Sequence, residues 1–173
     1  MTGAVDIHAH VVPADFPRYA GRHADHAWPS MCPVGCGHRH IMIRGSVFRT
    51  VLEASWDEAR RIADMDSVGI AVQVLSPMPE MLSYWFDAND ALAMAEVVNG
   101  TIADMVDAQP GRFAGLGMVP LQAPERAVEV LQALMRDGRF QGIEIGTNAN
   151  GAAIGDARFA SLFDLSSASG IAF

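Results

Sequence analysis

From Ser55 onward the sequence switches repeatedly between a helical period and short apolar runs, and this alternation limits the fold more than any single motif. Ser55-Trp56-Asp57-Glu58 has the form of a capping box, opening a helix with Ala59, Ile62, Ala63 and Met65 on one face. Gly69 closes that helix, and residues 70–75 follow as a strand buried on both sides. Asp87 or Asn89 caps a long helix carrying Leu92, Ala95, Val98, Ile102, Met105 and Val106, stopped by Pro110-Gly111. A strand over 113–119 precedes a helix that starts at Pro124, buries Ala127, Val130, Leu131, Leu134 and Met135, and ends at Gly138. Residues 141–146 form the next strand, with Ile143 and Ile145 on one face and Glu144 on the other. A helix over 156–169 and the start of a further strand at Gly170-Ile171-Ala172-Phe173 complete the series. With the apolar run Ala4-Val5-Asp6-Ile7 in front, the order predicts a parallel sheet joined by right-handed helical crossovers.

An open doubly wound sheet and a (β/α)8 barrel both fit that order. No Gly-x-Gly-x-x-Gly turn comes after the first strand, which argues against a dinucleotide fold. His8 and His10 occupy that place instead. Residues two apart on a strand share a face, so both imidazoles project the same way from its C-terminal end, with Asp6 one step behind. Val5, Ile7 and Ala9 face the other side, where a helix is expected to pack. Two neutral imidazoles side by side are a natural seat for a divalent transition metal such as zinc, although a bare His-x-His can equally end a strand. Ligands at the C-terminal end of strand one favour the barrel, whose active sites lie at that face. A whole barrel takes about 250 residues. This chain has 173 and stops within a fifth strand, so the expected architecture is the N-terminal half of a barrel: about five parallel strands and four helices, spanning 1–173, with an insertion or lid over 11–55.

That insertion is rich in Pro, Gly and His and has little periodicity, as functional lids and binding loops often do. Within it, Ile41-Met42-Ile43 and residues 47–51 predict a hairpin around Arg44-Gly45-Ser46. Cys32, Cys36, His38 and His40 resemble a zinc knuckle, but their spacing is cramped for four ligands, and a flexible loop with two reduced thiols is the simpler expectation. The aromatic segment Met81-Leu82-Ser83-Tyr84-Trp85-Phe86 lies at a strand's C-terminal end, where its rings anchor a loop or touch a substrate. A net charge of −8 with no basic run argues against a nucleic-acid partner, and no apolar stretch is long enough to cross a membrane. Two cysteines make no disulfide framework, and a cytoplasmic location is the default expectation.

Several segments together resemble the amidohydrolase superfamily, specifically the metal-dependent decarboxylases typified by aminocarboxymuconate-semialdehyde decarboxylase. They are Asp6-Ile7-His8-Ala9-His10, Val47-Phe48-Arg49, Trp56-Asp57, Arg61-Ile62-Ala63-Asp64-Met65-Asp66, Val72-Gln73-Val74, Ser83-Tyr84-Trp85, the run from Gly115 to Gln122, and Gly142-Ile143-Glu144-Ile145-Gly146-Thr147. The resemblance implies zinc on His8 and His10, no organic cofactor, and a small carboxylic acid as substrate. It implies that Arg49 grips the substrate carboxylate, as a guanidinium fork can with two parallel hydrogen bonds. Arg44 stands nearest to a Lys that relatives carry before that Arg, and Trp85 joins the substrate-contact candidates. Where relatives show a His after the fourth strand, this chain has Asn148. In the family a third His, an Asp, the acid–base His and an Arg from a partner subunit come from later segments. The catalytic residue is therefore unassigned, and the chain reads as a truncated copy, expected to be inactive alone and homodimeric at full length. The implied reaction is non-oxidative decarboxylation of an unsaturated or aromatic acid. The alternatives are hydrolysis of a lactone, ester or amide by the same superfamily, and a non-catalytic half-barrel.

Overall fold

The computed structural model describes residues 3–18 and 28–173; residues 19–27 of the insertion lie outside that description. Four strands form one parallel sheet in the order β1 (Ala4–Val11), β5 (Ile70–Pro77), β6 (Phe113–Gly117), β7 (Phe140–Ile143). Between them run α1 (Glu58–Val68), α2 (Ala88–Ala108) and α3 (Pro124–Arg136), and α4 (Ala160–Ser169) follows β7. The fifth strand is present only as a single parallel bridge from Gly142 to Ala172. Four helices and a parallel sheet therefore stand as expected, with the last strand barely begun.

The helices form where apolar spacing and caps agree. Asp87, rather than Asn89, caps α2 by accepting from the Asn89 and Asp90 amides. Pro124 takes the first turn of α3, and Gly69 ends α1 in the left-handed conformation at φ +75°. At the start of α1 the cap is Asp57, whose carboxylate accepts from the Arg60 amide at 2.7 Å. Ser55 ends a short 3-10 turn, Glu53–Ser55, so the expected capping box is replaced by a single side-chain cap two residues later. The buried positions of α1 also differ from the apolar pattern: Arg61 and Met65 face inward.

The approach of α2 and α3 to β6 is close enough to require glycine. A Cβ on Gly117 would lie 2.6 Å from Leu134 Cδ1, and one on Gly115 would lie 2.8 Å from Ile102 Cγ2. Just past β6, buried Asn99 accepts from the Met118 amide at 2.8 Å and donates to the Met118 carbonyl at 3.0 Å. Both polar groups of that residue are thereby satisfied where the ladder ends.

The insertion is a second, antiparallel sheet of β2 (Ser30–Gly35), β3 (His38–Ile43) and β4 (Ser46–Leu52) in that order. The expected hairpin is there, with Arg44 at φ +55° and Gly45 at φ +72°. Two left-handed residues in a two-residue turn match the twist of the flanking strands. Cys32, His38 and His40 lie in strands rather than in a flexible loop, and both thiols are free. The insertion leaves and rejoins the sheet at one point, since the Val12 amide donates to Ser55 O at 2.9 Å. On β1, Ala9 is buried but Val5 and Ile7 are 58% and 75% exposed, so no helix of the described residues covers them as the pattern led one to expect.

Candidate metal centre

His8 and His10 are together at the C-terminal end of β1. Their Nε2 atoms lie 3.1 Å apart and the rings meet edge to face at 79°. The strand carries a bulge here: Asp6 pairs with Gln73, and the next pair is Ala9 with Leu75. Three steps on β1 thus match two on β5, which re-aims the side chains at the strand's end. The His8 amide, displaced by the bulge, finds the Asp6 carboxylate at 3.1 Å.

His10 Nδ1 lies 3.0 Å from the Pro77 carbonyl oxygen and 3.1 Å from Ser76 Oγ, with Glu144 Oε2 at 3.5 Å. A carbonyl can only accept, so Nδ1 carries the proton and Nε2 keeps its lone pair. This is the hydrogen-bonded arrangement that holds a metal-ligating imidazole in orientation. Across those 3.1 Å a His8 Nε2–H can donate to the His10 lone pair, and without that proton both nitrogens can face one cation. Nitrogens at that separation can each sit about 2.0–2.1 Å from one zinc ion, so the pair fits a divalent metal. Among the described residues no cluster of three or more His, Cys, Asp or Glu could complete the ligand set. Cys32, Cys36, His38 and His40 do not make one. Instead Cys32 opposes His40 across the strands, His40 Nδ1 meets Thr50 Oγ1 at 3.0 Å, and His38 Nδ1 meets the Cys36 carbonyl at 2.9 Å.

Behind the pair lies a line of polar groups that apolar periodicity does not reveal. Arg61 donates to Gln73 Oε1 and to the His10 carbonyl, each at 2.8 Å, and Gln73 Nε2 donates to Asp6 Oδ2 at 2.8 Å. The Gln73 hydrogen bond, then the His8 amide, hold the Asp6 carboxyl below the usual carboxylate range. Burial pulls the Arg61 guanidinium down to about 10. The available signal was compositional: Gln73 is a polar residue inside an otherwise apolar strand, and a buried polar group is the informative kind.

The three substrate-contact candidates separate. Arg44 and Trp85 line one open cavity of about 410 Å³ with Ile43, Ser46, Val47 and Phe48; Arg49 does not line it. Arg49 instead pairs through Nη2 with Glu80, which lies three residues past the end of β5. The aromatic segment both anchors and exposes. Tyr84 OH accepts from the Gly146 amide at 3.0 Å, and Gln122 Nε2 donates to the Ser83 and Phe86 carbonyls at 3.1 Å each. Phe86 stacks on Trp28, while Trp85 is half exposed toward the cavity. Burial, with the Glu144 charge adding to it, pushes the Tyr84 phenol up to about 12.

A family model described as "Amidohydrolase" matches residues 5–171. The 2-amino-3-carboxymuconate-6-semialdehyde decarboxylase of Dictyostelium discoideum is 32% identical over 160 residues, covering 92% of this chain and 45% of that protein. The 5-carboxyvanillate decarboxylase of Novosphingobium aromaticivorans, solved with manganese and 4-hydroxy-3-methoxy-5-nitrobenzoic acid, matches with TM-score 0.65 and 30% identity over 69% of this chain and 34% of its own. The apo IDCase of Metarhizium anisopliae shares the fold at TM-score 0.75 and 21% identity, over 98% of this chain and 49% of its own. The chain thus spans less than half the length of each of these relatives.

Proposed function

Because this chain belongs to the amidohydrolase family, we propose that it carries one half of the metal centre of a non-oxidative decarboxylase acting on a small unsaturated or aromatic carboxylic acid. The observation that carries this reading is the convergence of two Nε2 atoms, with the far nitrogen of His10 already committed to the Pro77 carbonyl. His8 and His10 would hold the ion, zinc by the chemistry of imidazole or manganese as in the carboxyvanillate relative. A divalent ion bound there supplies Lewis acidity and activates water at neutral pH.

The chain's own residues would do the rest. Arg49, oriented by Glu80, presents a guanidinium to a carboxylate from the same end of the sheet that bears the histidines. Arg44 sits in the left-handed region, a costly place for a residue other than glycine or asparagine, and there its side chain borders the apolar cavity with Phe48 and Trp85. Such a cavity suits a planar ring with an acidic group. The Pro77 carbonyl and Ser76 hydroxyl hold the His10 ring, and Glu144 places a negative charge on its far side.

The described residues supply two candidate ligands, so binding is tested first. Zinc or manganese retained in equilibrium dialysis is expected to fall to background in His8→Gln and His10→Gln alike. Retention in both variants would remove the histidine pair from the centre. Reaction class is separated in the polypeptide carried to the length of its relatives. Carbon dioxide release from unsaturated and aromatic acids supports a decarboxylase; opening of lactones or esters without it makes the protein a hydrolase.

A further inference from the structure

Two polar side chains stand behind the histidines and have no part in holding an ion or a substrate. Arg61 of α1 and Gln73 of β5 are each 8% exposed. Arg61 Nη1 donates to Gln73 Oε1 and Nη2 to the His10 carbonyl, while Gln73 Nε2 reaches Asp6 Oδ2 and Asp6 Oδ1 accepts from the His8 amide. The chain of bonds therefore closes on two backbone groups only: the amide of His8 and the carbonyl of His10. Between those groups lies Ala9, the residue at which the bulged register with β5 resumes.

A guanidinium in this position is an expensive way to fill space. Among the described residues its Nε is buried without a partner, and it touches no carboxylate directly, reaching Asp6 only through the Gln73 amide. An apolar side chain of similar volume often packs as well or better at a buried charge site. What an apolar residue could not do is hold the bulged segment. A bulge leaves strand groups without ladder partners, and a one-residue slip turns side chains to the opposite face. Bonds to the His8 amide and the His10 carbonyl oppose that slip, and with it the divergence of the two imidazoles.

We infer that Arg61 and Gln73 are positioning residues for the histidine pair, locking the backbone of the bulged segment so that both Nε2 atoms address one cation. The inference rests on the histidines being the metal seat, and the experiment keeps the two ideas apart. Mn2+ is titrated into the 173-residue chain, and paramagnetic broadening of the histidine Cε1 proton signals is followed by NMR, with signals assigned from single His→Gln variants. His8 and His10 are expected to broaden together, ahead of His38 and His40. In Arg61→Met and Gln73→Leu the Mn2+ concentration for half-broadening is expected to rise by about tenfold or more, the usual scale for removing support behind a metal ligand. Arg61→Lys, which keeps the charge but lacks the two-pronged reach, is expected to recover only part of that loss. Circular dichroism confirms the fold of each variant, and Gln73→Leu with Arg61→Lys carries the test if Arg61→Met does not fold. Folded variants that broaden at the wild-type concentration overturn the positioning role and leave the metal seat standing. A wild-type chain whose His8 and His10 ignore Mn2+ overturns both.

Discussion

The two sheets of this molecule handle side chains in opposite ways. Where β1 meets β5, polar groups are drawn inward and tied to one another: Asp6, Gln73, Arg61 and the His10 carbonyl form one connected set. In the antiparallel insertion, large apolar groups are pushed outward. Val34, Val47, Phe48 and Leu52 are all about half exposed, and Ile41 and Val51 are the buried apolar residues of its three strands. The parallel sheet determines geometry by multiple bonds to one short segment. The insertion offers a surface, with Arg44, Val47 and Phe48 bordering a cavity that Trp85 closes from the β5 side. The tied polar groups lie where the proposed ion would be centred, and exposed apolar area lies where a ring could be received.

Core substitutions test that contrast most strongly. Leu75 lies in β5 next to Ser76 and is 0% exposed. Leu75→Ala is expected to cost about 2–5 kcal/mol in chemical denaturation. Phe48→Ala, at a residue 49% exposed, is expected to change stability by no more than about 0.5 kcal/mol. Equal losses at the two positions would show that the insertion is as much a part of the folding core as the parallel sheet.

The carboxylate reading of Arg49 comes next. Removing a charge-assisted hydrogen-bond donor costs about 1.5–3 kcal/mol of interaction. Arg49→Ala is therefore expected to weaken binding of an aromatic carboxylate by tenfold or more, read by quenching of tryptophan fluorescence, and at the relatives' length to raise KM and lower kcat. The same variant leaves Glu80 without its partner, and one Glu80 oxygen is already buried and unpaired. A loss of stability with unchanged ligand affinity would assign Arg49 to Glu80 rather than to a substrate.

Most of the parallel half of the fold was legible because helices and strands leave different periods in apolar residues. The misreadings share a cause, which is that periodicity counts apolar side chains and passes over polar ones held in the interior. The pattern on α1 selects Ala59, Ile62, Ala63 and Met65, whereas Arg61 joins Met65 inside because its guanidinium has acceptors waiting on β1 and β5. The cap fell on Asp57 because a 3-10 turn at Glu53–Ser55 uses up the residues before it. β2 escaped notice because Pro33 and Gly35 interrupt its pattern, and the register does shift between them. The final segment reads as a strand, yet only Ala172 makes a bridge, since a strand forms along its length only beside a partner. The meeting of His8 and His10 on one face was legible from spacing, which left open whether the pair seats a metal or only ends the strand. The bonds that aim it depend on residues 51 to 67 positions away, and no local pattern carries that information.

An effect smaller than those at Leu75 and Arg49 is expected at Tyr84, and its sign follows directly from the direction of the shift. Tyr84 ties the β5 loop to the segment after β7, accepting from the Gly146 amide, and its phenol is held up to about 12 by burial. An unfolded tyrosine titrates near pH 10. Because the folded value is the higher one, the folded chain binds this proton more tightly, so its contribution to stability is whole below pH 10. It declines as pH rises from about 10 toward 12, because the unfolded state ionises first. Tyr84→Phe removes both the titration and the acceptor for Gly146. At pH 8 the variant is expected to be less stable by about 1 kcal/mol, the net worth of one hydrogen bond. Between pH 10 and 12 that difference should shrink, because only the wild type loses stability through this group. A difference that stays constant across the window would mean that the Tyr84 hydroxyl is open to water. The aromatic loop would then be held by the Gln122 and Asn150 amides and the stacking of Phe86 on Trp28, and Trp85 would lose the anchored neighbour that fixes its place at the cavity.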